Sequence, residues 1–305
     1  MKKYVFLIFG LCFAFQTMNA QLTEAEEKLR TQSADTIEGW KKGGALFLNF
    51  SQTSLTNWAA GGIGSYSVNG LASFFANYKK GKSVWDNSLD IGYGLLKQKD
   101  ADIQKTDDKF DLFSKYGQHA FKSWYYSALL NFRTQMTDGY NYPDDSVISA
   151  LLAPAYLLGA IGLDYKPGDV FTAFIAPLSA KVTFVNNQVL ADAGAFGVDP
   201  GKKSRVEFGG YLRLAFKKDL VENINFATKA DFFSNYLHNP QNIDINWETL
   251  LTMKITKFIG ASLSTQLIYD DDIAILEELD NGATKEVKSK IQFKEILGIG
   301  FTAKF

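Results

Sequence analysis

The closing stretch Gln292-Phe293-Lys294-Glu295-Ile296-Leu297-Gly298-Ile299-Gly300-Phe301-Thr302-Ala303-Lys304-Phe305 alternates two faces. Phe293, Leu297, Ile299, Phe301, Ala303 and Phe305 fall on one side; Gln292, Lys294, Gly298, Gly300, Thr302 and Lys304 fall on the other. Glu295 and Ile296 blur the middle, and the final eight residues alternate cleanly. A period of two makes this a strand with one apolar face. A terminal strand ending on an aromatic residue suits an outer-membrane barrel, where it is read by the insertion machinery and then pairs with the first strand to close the cylinder. Gly300, Phe301 and Phe305 are therefore the expected assembly signal, with Ala303 standing where a larger apolar residue is commoner.

The other end agrees. Lys2 and Lys3 precede a short apolar core from Tyr4 to Phe15, and Thr17-Met18-Asn19-Ala20 offers a cleavage site before Gln21. The apolar run is too short to span a bilayer as a helix, so residues 1–20 read as a cleaved signal peptide. Gln21 is not the cysteine a lipoprotein would need. The single cysteine, Cys12, leaves with the signal, so no disulfide, thiolate metal site or cysteine nucleophile is expected in the mature chain.

Removing Lys2 and Lys3 leaves 30 basic residues (32 less 2) against 33 acidic ones, a net charge of −3 with no pull toward nucleic acid. The chain is 46% apolar and 14% aromatic, yet its mean hydropathy is only −0.10. A barrel accounts for both numbers, because each strand turns only every second residue to lipid.

Residues 21–42 carry Glu24, Glu26, Glu27, Lys28 and Arg30 among helix formers and read as a helical or disordered periplasmic extension, with a lumenal plug as a further option. From residue 43 the period-2 pattern takes over. The expected fold is all-β: a transmembrane, antiparallel, up-and-down barrel of about twelve strands filling residues 43–305. The strands fall near 44–55, 65–79, 83–97, 108–118, 123–136, 154–166, 170–184, 204–217, 222–235, 243–257, 259–270 and 290–305. Tight turns (80–82, 118–122, 167–169, 218–221 and Phe258) alternate with longer loops (56–64, 98–107, 137–153, 185–203, 236–242 and 271–289). That rhythm is short turns inside the cell envelope and longer loops outside. Aromatics such as Tyr78, Trp85, Trp124, Tyr125, Tyr165, Phe171 and Phe216 gather beside the turns as an interfacial girdle. A soluble β-sandwich of similar strand number would need neither the signal, the terminal aromatic nor the alternating loop lengths.

The face opposite the lipid face carries Asp90, Lys109, Asp111, Lys115, Arg133, Lys181, Arg205, Glu207, Arg213, Lys229, Asp231, Glu248 and Lys254. Charges cannot point into hydrocarbon, so these residues line the lumen. Both signs mix within neighbouring strands, as in Glu207 and Arg213 beside Lys229 and Asp231. Paired charges fill a narrow barrel as a polar core, whereas a selective pore concentrates one sign at a constriction. A plugged or very narrow lumen is the expectation.

Catalysis has few candidates. His119 falls in a turn, and His238 sits at the outer rim in Leu237-His238-Asn239-Pro240, with Ser234 and Asn235 near in sequence and Asp270 reachable across two strands. No motif specifies a triad there. Asp107-Asp108, Asp144-Asp145 and Asp270-Asp271-Asp272 lie at outer strand ends without calcium-loop spacing, and read as a solvated rim rather than a metal site. No enzyme activity, cofactor or metal is expected. Expected partners are outer-membrane lipid and lipopolysaccharide, the barrel-insertion machinery and other outer-membrane proteins.

Several stretches together carry a resemblance: Asn57-Trp58-Ala59-Ala60-Gly61-Gly62, Asn77-Tyr78-Lys79-Lys80-Gly81-Lys82, Gly139-Tyr140-Asn141-Tyr142-Pro143-Asp144-Asp145, 190–198, Asn239-Pro240-Gln241-Asn242-Ile243 and Tyr269-Asp270-Asp271-Asp272. From about Trp40 to Phe305 the chain resembles an outer-membrane barrel family of Bacteroidota catalogued only as a domain of unknown function. The resemblance implies a barrel and carries over no catalytic residue. It leaves a structural or accessory component of an outer-membrane assembly as the expected role, with a passive channel for small polar solutes and an outer-rim hydrolase using His238 as alternatives. The segment 185–203, with Leu190, Ala193, Ala195, Phe196 and Val198, is too apolar for an idle loop and is expected to fold inward or meet a partner.

Overall fold

The computed structural model describes residues 38–55, 63–142, 146–168, 170–256, 258–270, 272–273, 275–278, 284–287 and 290–304. The expected signal peptide, most of the expected extension, the motif 57–62 and Phe305 lie outside them.

Five long strands come first: β1 (Gly39–Thr53), β2 (Ser65–Lys80), β3 (Ser83–Gln98), β4 (Ile103–Phe121) and β5 (Trp124–Thr134). A small hairpin, β6 (Gly139–Asn141) with β7 (Ser146–Ser149), stands apart from the main sheet. Then follow β8 (Ala155–Tyr165), β9 (Phe171–Phe184), a short helix α1 (Gln188–Asp192) and a 3-10 turn (Ala195–Gly197). Four more strands are β10 (Ser204–Val221), β11 (Ile224–Asn235), β12 (Ile243–Lys254) and β13 (Ile259–Tyr269). A second hairpin, β14 (Ile275–Glu278) with β15 (Thr284–Val287), precedes the last strand, β16 (Gln292–Lys304). Twelve of these strands close one barrel in chain order, every neighbour antiparallel, with β16 returning to β1.

The barrel is inside-out relative to a soluble protein. Leu46, Leu48 and Phe50 on β1, Ile161 on β8, Leu178 on β9 and Phe208 on β10 are exposed on its outer face, while Asp111, Lys115, Asn131, Glu207 and Asp231 are buried inside. An apolar outer belt over a charged interior is the arrangement hydrocarbon demands, and it excludes the soluble sandwich. Aromatic pairs mark the turn end: Trp40 with Tyr78 (5.1 Å), Trp124 with Tyr165 (4.9 Å) and Phe258 stacked on Phe301 (5.8 Å). Tyr125 departs from the expected girdle, for it shares the inward face of β5 with Ser127, Leu129 and Asn131, and Lys166 Nζ lies 5.6 Å from its ring.

Two boundaries differ from expectation for physical reasons, and one strand carries a bulge. β1 starts at Gly39, inside the stretch assigned to the extension. There Lys42 shares the outward face with Trp40, which hides the pattern; its ammonium rests 5.6 Å from the indole at the interface. β4 starts at Ile103, because Ile103–Lys105 pair with β3 as far as Lys97 beyond the lipid belt, where alternation is no longer enforced. In β9, Pro177 sits in a bulge: Tyr211 faces Ala176 but Gly209 faces Ser179, and Leu163 faces Ile175 but Ile161 faces Leu178. Proline has no N–H for the ladder, so it is tolerated only where pairing is broken. Gly162 lies across this bulge, where a Cβ would collide with the Ile175 carbonyl oxygen. The extra residue shifts the phase of β9 and brings Ser179, Lys181 and Thr183 to the inward face.

Candidate functional site

The lumen is built in layers. Nearest the turns, Lys115 on β4 pairs with Asp164 on β8 at 2.6 Å, and Lys166 pairs with Asp86 on β3 at 2.7 Å and with Asp164 at 3.3 Å. All four side chains are almost wholly buried. Above them lies an apolar layer of Phe113, Leu129, Ala160, Phe174, Ala176, Tyr211 and Phe233. Aromatic faces receive cations from both sides: Lys115 Nζ lies 5.6 Å from Phe174, Arg213 Cζ 4.6 Å from Phe113 and Lys181 Nζ 5.2 Å from Phe233.

The third layer crosses the barrel. Arg133 on β5 binds Asp231 on β11 (2.8 Å) and Asp111 on β4 (3.4 Å), and Arg213 on β10 meets Asp231 at 3.1 Å. Lys109 on β4 and Lys229 on β11 each lie 3.1 Å from Glu248 on β12, and both also face Asp111. Tyr211 donates to Asp231 at 2.6 Å, and Asn131 donates to Asp111 at 2.6 Å. Charges so deeply placed are tolerable only when paired and hydrogen-bonded, and here three carboxylates meet four cations. At the loop end, Lys181 is held by Asp244, Asp270 (3.3 Å) and Glu207 (3.5 Å), while Arg205 binds Asp272 (2.6 Å), Glu207 (2.9 Å) and the Gly197 carbonyl (3.2 Å).

Strand parity puts every lumen-lining residue named from the sequence on the inward face, but the network does not gather them all. Asp90 stands apart, accepting from the Ser73 hydroxyl, and Lys254 lies at the turn end of β12 with its backbone N–H on the Asn223 carbonyl. Asp86, Asp164 and Lys166 belong to the lumenal clusters and were missed; Asp244 shares the lumenal face of Asn246 and Glu248, and Asp270, read as solvated rim, is drawn to Lys181. Asp86 has the parity of Ser88 and Asp90, which is the signal that would have found it. Lys166 ends the expected strand 154–166 and shares the inward parity of Asp164, the same signal.

The apolar segment 185–203 folds back over the loop end. Asn187 caps α1 by accepting from Leu190 N (3.2 Å), and Leu190, Ala191 and Val198 pack with Val185 against Ala150 and Ala153. Phe196, held at φ 57°, lines a lumenal cavity of about 450 Å³ together with Tyr156, Leu158, Ile245, Ile268 and Lys294. The acidic stretches are occupied by cations or backbone donors: Asp107 binds Lys294 (2.8 Å), and Asp108 binds Lys105 (2.9 Å) and the Met136 and Thr137 amides. Asp144 and Asp145 lie outside the described residues.

His238 hydrogen-bonds the neighbouring Asn239 side chain at 3.4 Å. Ser234 donates its hydroxyl to the Pro240 carbonyl at 2.6 Å, and Asp270 is engaged by Lys181. Among the described residues His238, Ser234 and Asp270 thus form no nucleophile–base pair at this rim. His119 meets the Lys122 carbonyl at 2.9 Å in its turn. Of the expected assembly signal, Gly300 pairs with Asn49 across the β1–β16 seam and Phe301 with Leu48.

A family model described as "Protein of unknown function (DUF3078)" matches residues 50–140, a part of the stretch over which the sequence resembles a barrel family. No curated protein matches the chain. Among solved structures, an outer-membrane channel from Pseudomonas putida F1 is similar at 9% identity over 89% of this chain and 97% of that one (TM-score 0.41). The translocator domain of the autotransporter NalP from Neisseria meningitidis is similar at 11% identity over 93% of each chain (TM-score 0.38). OmpT, an outer membrane protein of Vibrio cholerae, is similar at 9% identity over 90% of this chain and 100% of that one (TM-score 0.32). At these scores the likenesses fix no function, and the barrel assignment rests on the chain's own closed sheet and its exposed apolar belt.

Proposed function

We propose that the chain is exported by a cleaved signal peptide to the outer membrane. There it serves, without enzymatic activity, as a structural or accessory component of a larger assembly. The observation that carries this reading is the ion-pair layer from β4 and β5 across to β10, β11 and β12, stacked on buried aromatics. Such a lumen supplies rigidity rather than a path for solute. Support for partners comes from the loop end, where Leu237 (78% exposed), Val189 (73%) and Leu151 (54%) stand in solvent-facing segments outside the lipid belt. Lipid and lipopolysaccharide surround the belt, and the insertion machinery is the partner of the closing strand.

Extraction of a tagged chain in mild detergent tests the proposal. Stoichiometric co-purifying outer-membrane proteins, lost on replacing Leu237 and Val189 by serine, are the expected result. A lone monomer in several detergents contradicts it. The runner-up, a passive channel for small polar solutes, draws support from the cavity at the loop end alone.

A further inference from the structure

The barrel does not close evenly. Among the described residues, β1 and β16 share the registers Ala45↔Lys304 to Asn49↔Gly300, a five-residue ladder in the middle of β1 and at the turn end of β16. Beyond them β1 continues to Thr53, fully paired with β2, and β16 continues back to Gln292, paired with β13 from Ile259↔Phe301 to Ile268↔Gln292. Among the described residues, 50–53 of β1 and 296–299 of β16 therefore flank each other without a ladder. Unpaired strand edges are costly in hydrocarbon, and a barrel that keeps them needs something to take their place.

What lies on each side of the parted edge is specific. Inside, Lys294 and Gln292 of β16 line the 450 Å³ cavity, whose wall is more apolar than polar, with Leu158, Phe196, Tyr211, Phe233 and Ile268 among the residues that line it. That volume is within the range that holds a small ligand. Lys294 reaches over the inward faces of β1, β2 and β3 to Asp107 on β4 (2.8 Å), so this partly exposed ion pair stands between the cavity and the parted edge. Outside, Glu295 is exposed on the lipid-facing side of β16, between Phe293 (62% exposed) and Leu297 (70%). It heads a polar row across four consecutive strands through the registers Glu295↔Thr265, Thr265↔Thr249 and Thr249↔Thr228. A carboxylate and three threonines in one line are an anomaly on a lipid face unless polar groups travel there.

We propose that the parted stretch between β1 and β16 is a lateral portal, and that the lumenal cavity binds a single-chain amphiphile entering from the outer leaflet. The apolar tail passes between Phe50–Thr53 and 296–299 into the cavity, while the head follows the polar row. Opening requires the Lys294–Asp107 pair to swing aside. The head is cationic or a hydrogen-bond donor rather than an anion. Glu295 stands at the entrance, and among the described residues the loop-end lumen sets Asp107, Glu207, Asp244, Asp270 and Asp272 against Lys181, Arg205 and Lys294. This inference is independent of the accessory role, since a barrel can bind an amphiphile whether or not it has protein partners.

The test uses the full chain purified from membranes in a Cys12→Ser background and a dodecyltrimethylammonium probe carrying a diazirine at its tail end. After photolysis, mass spectrometry is expected to place label on Tyr156, Phe196 and Ile268, with dodecanoate competing poorly and unlabelled dodecyltrimethylammonium competing well. Continuing the seam register sets Gln52 opposite Leu297, so a Gln52→Cys/Leu297→Cys pair locks the portal when oxidised. Locking is expected to cut lumenal label at least tenfold, with full recovery on reduction. Asp107→Asn, which removes the latch without a crosslink, is expected to raise lumenal label several-fold and serves if the disulfide does not form. Label confined to outward residues such as Leu112 and Leu130 overturns the proposal, as does lumenal label indifferent to both the lock and Asp107→Asn.

Discussion

β3 and β4 share an unbroken run of partners from Ser83↔Gln118 to Gly94↔Asp107 and continue past one bulge to Lys97↔Ile103; β1 and β16 share five registers. The first pair is joined by an antiparallel wall whose inward side chains include long charged ones, and Lys109 and Asp111 reach across the lumen to β12 and β11. The second pair meets where β16 offers Gly298 and Gly300, over which the Asn49 side chain lies. The difference teaches where the barrel keeps its stability. One wall is fixed from within by paired charges and aromatics, whereas the seam is held by a short ladder between the two ends of the chain and is the part able to yield.

Substitutions at the two places sharpen that contrast. The largest effect is expected for Asp111→Ala, which strips a buried carboxylate from Arg133, Lys109, Lys229 and Asn131 at once. Breaking a buried ion pair from one side costs about 3–5 kcal/mol, so urea unfolding from lipid vesicles, followed by loss of heat-modifiable mobility, should shift strongly. At the seam, Gly300→Val drives a side chain into the Leu48 carbonyl and Asn49. Overpacking of this kind costs about 1–3 kcal/mol, read as a smaller shift in the same assay with a marked fall in folded yield. A larger shift for Gly300→Val than for Asp111→Ala would reverse the ranking of the two walls.

Deleting Phe305 separates assembly from stability. Outer-membrane levels should fall and periplasmic degradation rise, while barrels that do assemble unfold close to the wild-type midpoint. Wild-type levels after the deletion would remove Phe305 from the insertion signal. Glu295→Leu, which replaces a lipid-facing carboxylate, is expected to stabilise the barrel by about 1 kcal/mol. The smallest effect belongs to His238→Ala, expected within about 0.5 kcal/mol because the exposed ring touches little beyond Asn239.

Much of the fold was legible because lipid imposes a strict alternation. Val206, Phe208, Leu212 and Leu214 against Arg205, Glu207, Tyr211 and Arg213 announce β10 and its two faces without help from any other strand. The same rule fails wherever lipid no longer selects. It missed the start of β4 at Gln104-Lys105, the strand Gly39–Lys42 and the hairpin β6–β7, all beyond or at the edge of the belt. Pro177 announces a break but not its form, a bulge in which Ala176 and Ser179 face Tyr211 and Gly209, although the inward placement of Lys181 was readable. Inward parity was readable residue by residue, yet partners were not. Arg133 and Asp231 are 98 positions apart, and Lys294 and Asp107 are 187 apart. Only the curvature of a closed barrel brings such pairs together, and a period of two in the sequence contains no record of that curvature. The short seam was invisible for the same reason, since the alternation of β16 says nothing of how far β1 accompanies it.

Planar-bilayer recording with purified protein tests the central claim, a lumen closed by its own crossing charges, most directly. The wild type is expected to give no discrete openings at any voltage that the bilayer survives, and the Arg133→Ala/Arg213→Ala double variant is expected to conduct, because it removes the two guanidiniums that span from β5 and β10 to Asp231. Reproducible wild-type openings that disappear on replacing Arg133 or Arg213 would contradict the closed lumen and assign the chain to the channels.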